Sequence, residues 1–270
     1  MEQRPIGFFD SGLGGISVLA EALRFLPAEN FVYYGDHLHV PYGDKSPEEV
    51  CRLTRQAVDK LLALNCKAIV LACNSATSVA AAILRQELTV PVVGIEPALK
   101  PASELEGSGD VLVMATHMTL SQPKFQQLMQ RYGRDAIPVP CSGLMEYVEA
   151  GELSGDPLMN HLSALLSPYL FRPVKAVVLG CTHYAFLRNA IRSFVGPNIP
   201  LIDGNRGTAM QLKRVLKQKE LLSQDEIHQG TAIFLTSAMN QNETIAQMEK
   251  MLQLAFQEKN KWKETAKRQH

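Results

Sequence analysis

Apolar residues in this chain fall into short runs that end abruptly in polar groups, and two of these runs nearly repeat each other. Residues 67–75 read K-A-I-V-L-A-C-N-S, and residues 175–183, 108 positions later, read K-A-V-V-L-G-C-T-H. An aliphatic run that ends in small polar residues is typical of a parallel strand covered on both faces, whose carboxyl end opens into a site. The pattern predicts that Cys73 and Cys181 lie at two strand ends and face one bound molecule.

Two further pairs of segments repeat at nearly the same spacing. Residues 6–10 match residues 111–115 at an offset of 105, and residues 90–94 match residues 199–203 at an offset of 109. Three matched segments at a nearly constant offset predict two similar halves. We expect two pseudo-symmetric α/β domains, Rossmann-like or flavodoxin-like, whose mainly parallel sheets face a shared cleft.

The repeat also predicts the domain boundaries. The first α/β domain would comprise residues 1–97 together with residues 207–270, and the second would comprise residues 98–206. The tail has no third repeat to join, so we expect it to pack back on the first half. Its predicted elements are a helix at 208–216, a strand at 231–235 and a final helix at about 243–256, with a charged and frayed end after it.

Strand, turn and helix signals surround a glycine-rich segment near the start. The strand at 6–9 is followed by D-S-G-L-G-G at 10–15 and by helical spacing of apolar residues at 16–25, an arrangement that presents backbone N–H groups to an anion. The turn lacks the G-x-G-x-x-G pattern and the acidic ribose partner of a dinucleotide site. A small carboxylate, or tight packing alone, is favoured over a nucleotide.

A long polar connection at 35–43 follows the second predicted strand, and such loops often close over ligands. Its two histidines, His37 and His39, have no cluster of further ligands at metal spacing, so they are predicted to face solvent. Ser46 and Pro47 have the N-cap and first-turn pattern of a helix start.

Composition narrows the class of protein. The 27 basic and 27 acidic residues balance, and 46% of the 270 residues are hydrophobic. This argues against a nucleic-acid or membrane partner. Five cysteines without C-x-x-C spacing do not suggest a disulfide framework or a zinc knuckle, and Cys51, Cys66 and Cys141 are interpreted as core residues. With no membrane-length apolar run and no secretory pattern at the N-terminus, we expect a soluble cytoplasmic α/β protein.

Two opposed thiols indicate proton chemistry. A cysteine just before a helix is exposed to the positive end of the helix dipole, which favours the thiolate. The residues after each sulfur, Asn74-Ser75 and Thr182-His183, are predicted to donate hydrogen bonds beside it. One thiolate can then remove a proton from a bound carbon while the opposed thiol donates one to the other face. The pattern favours a racemase or epimerase that uses no metal, nicotinamide or pyridoxal cofactor.

Four motifs in order carry a resemblance to a known family. They are D-S-G-L-G-G-I-S-V-L at 10–19, P-Y-G at 41–43, A-C-N-S at 72–75 and G-C-T-H-Y at 180–184. Together they resemble the bacterial glutamate racemases of the aspartate/glutamate racemase superfamily, from about residue 6 to residue 220. The resemblance implies cofactor-independent interconversion of L- and D-glutamate, which supplies D-glutamate for peptidoglycan. It also implies a two-domain pseudo-symmetric fold that often forms a homodimer.

The resemblance also assigns site residues. It implies that Cys73 and Cys181 are the acid–base thiols, acting on the D and L forms respectively, that Asp10 and His183 assist proton transfer, and that Glu149 is a further site carboxylate. The substrate-binding residues that it implies are Asp10, Ser11, Tyr42, Gly43, Asn74, Ser75, Thr116, Thr119, Thr182 and His183. The departures from the usual pattern are Ser75 for Thr, His37-Leu38-His39 for Thr-Ala-Arg, Ala185 for Pro and Gly204 for Ser.

Two other interpretations remain open from the residues. A racemase of aspartate or of another acidic amino acid would share the chemistry of two thiols, and the P-Y-G, C-N-S and C-T-H-Y motifs favour glutamate. A non-catalytic amino-acid-binding protein on the same scaffold is disfavoured, because binding alone requires neither thiol.

Overall fold

The computed structural model describes residues 2–223 and 229–267. Its strands are β1 (Ile6–Asp10), β2 (Phe31–Gly35), β3 (Ala68–Leu71), β4 (Val92–Gly94), β5 (Asp110–Ala115), β6 (Ala136–Pro140), β7 (Val174–Leu179), β8 (Leu201–Asp203) and β9 (Ala232–Thr236). Its helices are α1 (Ile16–Phe25), α2 (Pro47–Ala63), α3 (Asn74–Glu87), α4 (Leu99–Ser103), α5 (His117–Ser121), α6 (Pro123–Tyr132), α7 (Leu144–Glu149), α8 (Asp156–Leu166), α9 (Arg188–Val195), α10 (Asn205–Gln218) and α11 (Gln241–Lys267). Short 3-10 helices lie at His37–His39, Tyr42–Asp44, Ser167–Tyr169 and Thr182–Leu187.

The two parallel sheets have the same strand order. The first sheet runs β4-β3-β1-β2, with β9 added beside β2, and the second runs β8-β7-β5-β6. Strands β5 to β8 therefore occupy the positions in the second sheet that β1 to β4 occupy in the first. This order is the doubly wound arrangement in which ligands bind beyond the carboxyl ends of the strands. The predicted fold class, two pseudo-symmetric α/β halves with parallel sheets, is confirmed.

The apolar runs form strands that are covered on both faces. Along β1, Phe8 belongs to one core cluster and Phe9 to the other, and along β3 the same holds for Val70 and Leu71. All four side chains are fully buried. Because each contributes about 1.5–3 kcal/mol when it leaves water, the central strands of the first sheet are firmly held. Their carboxyl ends therefore form a fixed platform for the residues that follow.

Local signals place α2 as predicted. Ser46 is the N-cap residue, and its hydroxyl accepts a hydrogen bond from the backbone N–H of Glu49 at 3.2 Å. Pro47 occupies the first helical position, where a missing N–H costs nothing. The connection that follows β2 therefore ends at this helix start, after it has returned over the strand ends.

The tail packs on the first half, as predicted. Strand β9 pairs in parallel with β2, and α10 and α11 both contact α1. The prediction that the last helix ends near residue 256 is wrong, because α11 continues to Lys267. Residues 257–267 contain no glycine or proline, so no strong helix breaker follows Phe256. Residues 1, 224–228 and 268–270 of the predicted first domain lie outside the described residues, and its boundaries remain a prediction.

Candidate active site

The predicted site residues follow the carboxyl ends of equivalent strands. In the first half, Asp10 ends β1, and Cys73 follows β3 as the N-cap residue of α3. In the second half, Thr116 follows β5 as the N-cap residue of α5, and Cys181 follows β7 just before the 3-10 helix. The sheet topology thus brings residues from both halves to one place.

A small enclosed cavity lies where these strand ends meet. Its lining residues are Ser11, Tyr42, Gly43, Cys73, Asn74, Ser75, Thr116, Met145, Cys181, Thr182 and His183. Both cysteines therefore face one cavity. Its free volume for water centres is about 10 Å³, which is room for about one water molecule. Three predicted site residues, Asp10, Thr119 and Glu149, lie behind this lining.

Cys73 is hydrogen-bonded to neutral groups, a hydroxyl and a backbone N–H. Its thiol donates to Ser11 Oγ at 3.7 Å, and its sulfur accepts from the Ala76 N–H at 3.5 Å. Burial, with a further contribution from the charge of Asp10, raises the pKa of Cys73 to about 12 against the opposing effect of the Ala76 N–H. The predicted stabilisation of the thiolate is wrong for Cys73, because desolvation outweighs the helix N-terminus. Asn74 and Ser75, which were predicted to supply donors beside this sulfur, line the same cavity.

Cys181 has a charged environment. Its sulfur lies 3.6 Å from His183 Nδ1, and His183 Nε2 lies 2.6 Å from Glu149 Oε1. Burial alone would lower the pKa of His183, but its hydrogen bonds and charge interactions with Cys181 and Glu149 raise this pKa well above its usual value. The ring is therefore arranged to hold a proton beside Cys181.

Glu149 is ionised by its partners despite its burial. Burial raises the pKa of this carboxyl, but the hydrogen bond and charge of His183, the Leu13 N–H and the charge of His37 together lower it. The Leu13 N–H donates to Glu149 Oε1 at 2.7 Å. A carboxylate that is held by this many donors favours the protonated form of His183.

The glycine-rich turn binds this internal carboxylate. A Cβ at Gly12 would lie 2.1 Å from Glu149 Oε1, and a Cβ at Gly14 would lie 2.4 Å from His183 Nδ1. Neither position can take a side chain without moving the acid–base groups. Tyr33 OH donates to the Gly12 carbonyl at 2.6 Å and fixes the turn from below. The N–H of Leu13 in this turn is thus used by a side chain of the second half, and the prediction of a bound small carboxylate stays a prediction.

Asp10 connects the two halves. Its Oδ1 accepts from the Gly12 N–H at 2.8 Å, and its Oδ2 accepts from Thr182 Oγ1 at 3.1 Å. Burial raises the pKa of Asp10, and the charge of His183 and the N–H of Gly12 oppose that rise. The carboxyl thus acts electrically on both thiol regions rather than on Cys73 alone.

Hydroxyl groups close the other wall of the cavity. Ser75 Oγ lies 3.0 Å from Thr116 Oγ1, which donates to Thr119 Oγ1 at 3.1 Å. Tyr42 OH donates to Asp36 Oδ2 at 2.7 Å. Asn74 Oδ1 is buried and has no hydrogen-bond partner among the described residues, so it remains available to a ligand.

Two lining or supporting residues were missed at the level of sequence. Met145 lines the cavity and lies four positions before Glu149 on α7, so helical spacing from Glu149 would have found it. His37 was predicted to face solvent, and this is wrong: its side chain is 11% exposed and its Nε2 lies 3.7 Å from Glu149 Oε2. His39 is 37% exposed and its Nδ1 lies 2.9 Å from Asp36 Oδ1. No local pattern distinguishes the two histidines.

Within residues 2–223 and 229–267, no group of three or more His, Cys, Asp and Glu side chains is arranged to hold a metal ion. No helix in the same ranges is both long and apolar enough to cross a membrane.

Comparison with known proteins places this arrangement in a family. Residues 15–212 match the sequence pattern of the Asp/Glu/hydantoin racemase family. A glutamate racemase from Clostridium perfringens is 45% identical over 257 residues, covering 94% of this chain and 98% of that protein. The crystal structure of Thermus thermophilus glutamate racemase in complex with β-chloro-D-alanine has a TM-score of 0.78 at 33% identity, covering 92% of this chain and 93% of that one. That of Francisella tularensis glutamate racemase in complex with D-glutamate has a TM-score of 0.79 at 26% identity, covering 94% and 95%.

These matches cover most of each chain. The chain therefore belongs to the Asp/Glu/hydantoin racemase family of isomerases. Within that family, the similarity to Clostridium perfringens and Thermus thermophilus proteins places it with the glutamate racemases. The resemblance inferred from the four motifs is confirmed.

Proposed function

We propose that this protein interconverts L- and D-glutamate by direct proton transfer at Cα, with Cys73 and Cys181 as the two acid–base groups. The observation that carries the proposal is that both sulfurs line one cavity from equivalent strand ends of the two halves. A bound amino acid between them would present one face of its α-carbon to each sulfur. That geometry is what inversion without a cofactor requires.

The proton balance is simple. One thiolate removes the α-proton and becomes a thiol, and the electron pair remains on the substrate as a carbanion. The opposed thiol then donates its proton to the other face and becomes a thiolate. The site must stabilise the carbanion with fixed donors in a cavity that excludes water. The buried amide of Asn74 and the hydroxyls of Ser11 and Ser75 are suitable donors for the substrate carboxylates.

The two thiols begin from different states in this mechanism. With its pKa raised to about 12, Cys73 holds its proton and is ready to act as the acid. His183, whose pKa is raised, accepts the Cys181 proton at Nδ1 and leaves that sulfur as the base. This state suits the enantiomer whose α-proton faces Cys181, which by the resemblance is L-glutamate. The opposite direction begins after Cys73 has lost its proton to the outgoing substrate.

Substrate entry requires the cavity to widen. About 10 Å³ is far too small for an amino acid of ten non-hydrogen atoms. The contact between Ser75 and Thr116 joins the two halves across the cavity, and a Cβ at Gly43 would lie 3.0 Å from Thr116. We infer that binding separates these groups and that the substrate carboxylate then takes their place as a partner.

The wider role follows from the same proposal. The enzyme would need no metal or organic cofactor, would act in the cytoplasm as a homodimer and would supply D-glutamate for peptidoglycan. The family resemblance supports the absence of a cofactor, the homodimer and the supply of D-glutamate, and the pattern of the sequence supports the location in the cytoplasm. Turnover after exhaustive dialysis against a chelator tests the need for a metal, and light scattering of the purified protein tests the homodimer. Growth of a D-glutamate auxotroph that carries the gene tests the supply of D-glutamate.

The decisive experiment follows the α-proton. Purified protein is incubated with L-glutamate in deuterated water without added cofactor, and circular dichroism and NMR of Cα–H are recorded. We expect optical activity to disappear while deuterium enters at Cα. Retention of both the proton and the optical activity would refute the proposal. Exchange with aspartate but not with glutamate would change the proposed reaction to aspartate racemisation.

A further inference from the structure

His37 lies on the far side of Glu149 from His183. Its Nδ1 lies 2.9 Å from Thr236 Oγ1 of β9 and 3.1 Å from the Gly35 carbonyl oxygen. Its Nε2 lies 3.7 Å from Glu149 Oε2, the oxygen that His183 does not bind. The carboxylate is therefore bracketed by two imidazoles, one from each half of the molecule.

The chain reserves space for this ring. A Cβ at Gly35 would lie 2.5 Å from His37 Cε1 and 2.8 Å from Met248 Cε. Real side chains do not approach so closely, so only glycine at the end of β2 lets the imidazole turn back toward the site. The backbone of Glu149 is held from the same direction, because Gln247 Nε2 donates to the Glu149 carbonyl at 2.6 Å.

The neighbours of Nδ1 leave its role as donor or acceptor open, and the proton on Nε2 is favoured by Glu149. The Gly35 carbonyl only accepts, whereas Thr236 Oγ1 accepts from the Ala238 N–H at 3.0 Å and keeps its own proton to donate. Nδ1 can therefore be satisfied either as a donor or as an acceptor. Nε2 has one neighbour of this kind, the carboxylate, and no hydrogen-bond partner among the described residues. The carboxylate repels a lone pair at Nε2 and attracts an N–H there, so Glu149 favours the ring forms that carry a proton on Nε2.

We infer that His37 is a positioning residue for the Cys181 side of the site: its Nε2–H holds Glu149 Oε2 and keeps the carboxylate ionised and aligned on His183. The inference rests on the proposed function, because it assigns His37 an effect on the acid–base chain that ends at Cys181. His37 touches neither cavity nor substrate, and it acts through Glu149. The other titratable groups that act on this carboxylate or its partners from packed elements are His183, Asp10 of β1, Tyr33 of β2 and Cys181.

Two conservative variants separate this role from simple packing. In His37→Asn the amide can replace Nδ1 toward Thr236 and Gly35 but does not reach Glu149. In His37→Gln the longer amide can place an N–H where Nε2 was. His39→Asn is the matched control, since it removes an imidazole from the same turn that pairs with Asp36 instead.

The measurements are the pH profile of kcat/KM and the NMR titration of the His183 ring, between about pH 4 and pH 9. Loss of a cationic or N–H neighbour raises the pKa of a carboxyl, so in His37→Asn we expect the acid limb to move up by about one pH unit. The transition that Glu149 protonation causes in the His183 Cε1–H signal should move with it. His37→Gln should restore most of both shifts, and His39→Asn should leave both unchanged, with thermal unfolding of all three variants close to that of the parent.

An unshifted acid limb and an unshifted His183 transition in His37→Asn would overturn the inference. Equal shifts in His37→Asn and His39→Asn would also overturn it, because they would indicate a general disturbance of the turn. The NMR titration requires no turnover. If the parent protein failed to racemise glutamate, the proposed function would fall, and the His183 titration would still decide whether His37 acts on Glu149.

Discussion

Cys73 and Cys181 hold equivalent places in the two halves, two residues beyond β3 and two residues beyond β7. Their surroundings differ. Cys73 begins a 14-residue α-helix and is bonded to a hydroxyl and a backbone N–H. Cys181 begins a 3-10 helix and faces His183, which is bound to Glu149. A repeated strand end thus carries a neutral thiol in one half and a thiol with a proton acceptor in the other.

The difference shows how an internally repeated fold can perform a reaction that needs an acid and a base at once. Two identical environments would give both thiols the same protonation state, whereas racemisation requires one proton between them. Burial keeps the proton on Cys73, and the Glu149–His183 pair provides a second location for the proton on the Cys181 side. The asymmetry therefore selects the starting state, and the substrate reverses it in each turnover.

The largest expected effect comes from removing either thiol. Cys73→Ala and Cys181→Ala should each lower kcat by about 10³-fold or more, because general acid–base groups contribute up to about 10⁴ and both are needed for inversion. The measurement is the rate of racemisation by circular dichroism, in both directions. Cys66→Ala is the control, since Cys66 is buried but does not line the cavity. Near-parental turnover in either of the first two variants would rule out the opposed thiols.

Removing the carboxylate of Glu149 should have the next largest effect. Glu149→Gln eliminates the charge that raises the pKa of His183, so the imidazolium is lost at lower pH. We expect kcat/KM to fall by about 10²-fold at neutral pH and its alkaline limb to move to lower pH. Glu146→Gln, on the exposed face of the same helix, should behave as the parent. An unchanged alkaline limb in Glu149→Gln would separate Glu149 from the acid–base chain.

Asp10 allows stability and activity to be separated. Folding raises the pKa of this buried carboxyl. Above the raised pKa, the ionised carboxylate therefore lowers the free energy of unfolding. This destabilisation disappears as the pH falls below the pKa of Asp10 in the unfolded state. Asp10→Asn should therefore raise the free energy of unfolding by about 1 kcal/mol and Tm by about 2–4 °C at neutral pH. Turnover should fall roughly tenfold, since a charge that acts on both thiols is lost. Lower stability in Asp10→Asn at pH 7 would contradict this sign.

Periodic features of the site were predictable from the sequence. Strand β3 and the residues 67–75 around it, and their partners at 175–183, could be located because apolar runs have a recognisable length and the repeat has a constant offset. The prediction that Cys73 and Cys181 face one cavity then followed from the repeat, because each cysteine follows an equivalent strand end. The orientation of His37 did not follow, since it depends on contacts with β9 and with Glu149.

The protonation of Cys73 could not be predicted from the sequence. A helix N-terminus is visible in a sequence and favours a thiolate, whereas the completeness of burial is a property of the assembled halves. Desolvation proved to be the larger effect at Cys73. The contact of Glu149 with the turn at Gly12 is another property of assembly, because the two residues are far apart in the chain and belong to different halves.

The smallest expected effect is on the hydroxyl wall that joins the halves beside Cys73. Thr116→Val removes the partner of Ser75 and a hydroxyl of the cavity lining while its shape is kept. In the proposed bound state the Thr116 hydroxyl binds the substrate carboxylate in place of Ser75, and such a hydrogen bond contributes about 1 kcal/mol, so we expect KM to rise roughly fivefold with kcat nearly unchanged. Thr119→Val should have a weaker effect, because Thr119 accepts from Thr116 and does not line the cavity. Steady-state kinetics with both enantiomers measures this, and a loss confined to kcat would mean that the wall acts on proton transfer rather than on binding.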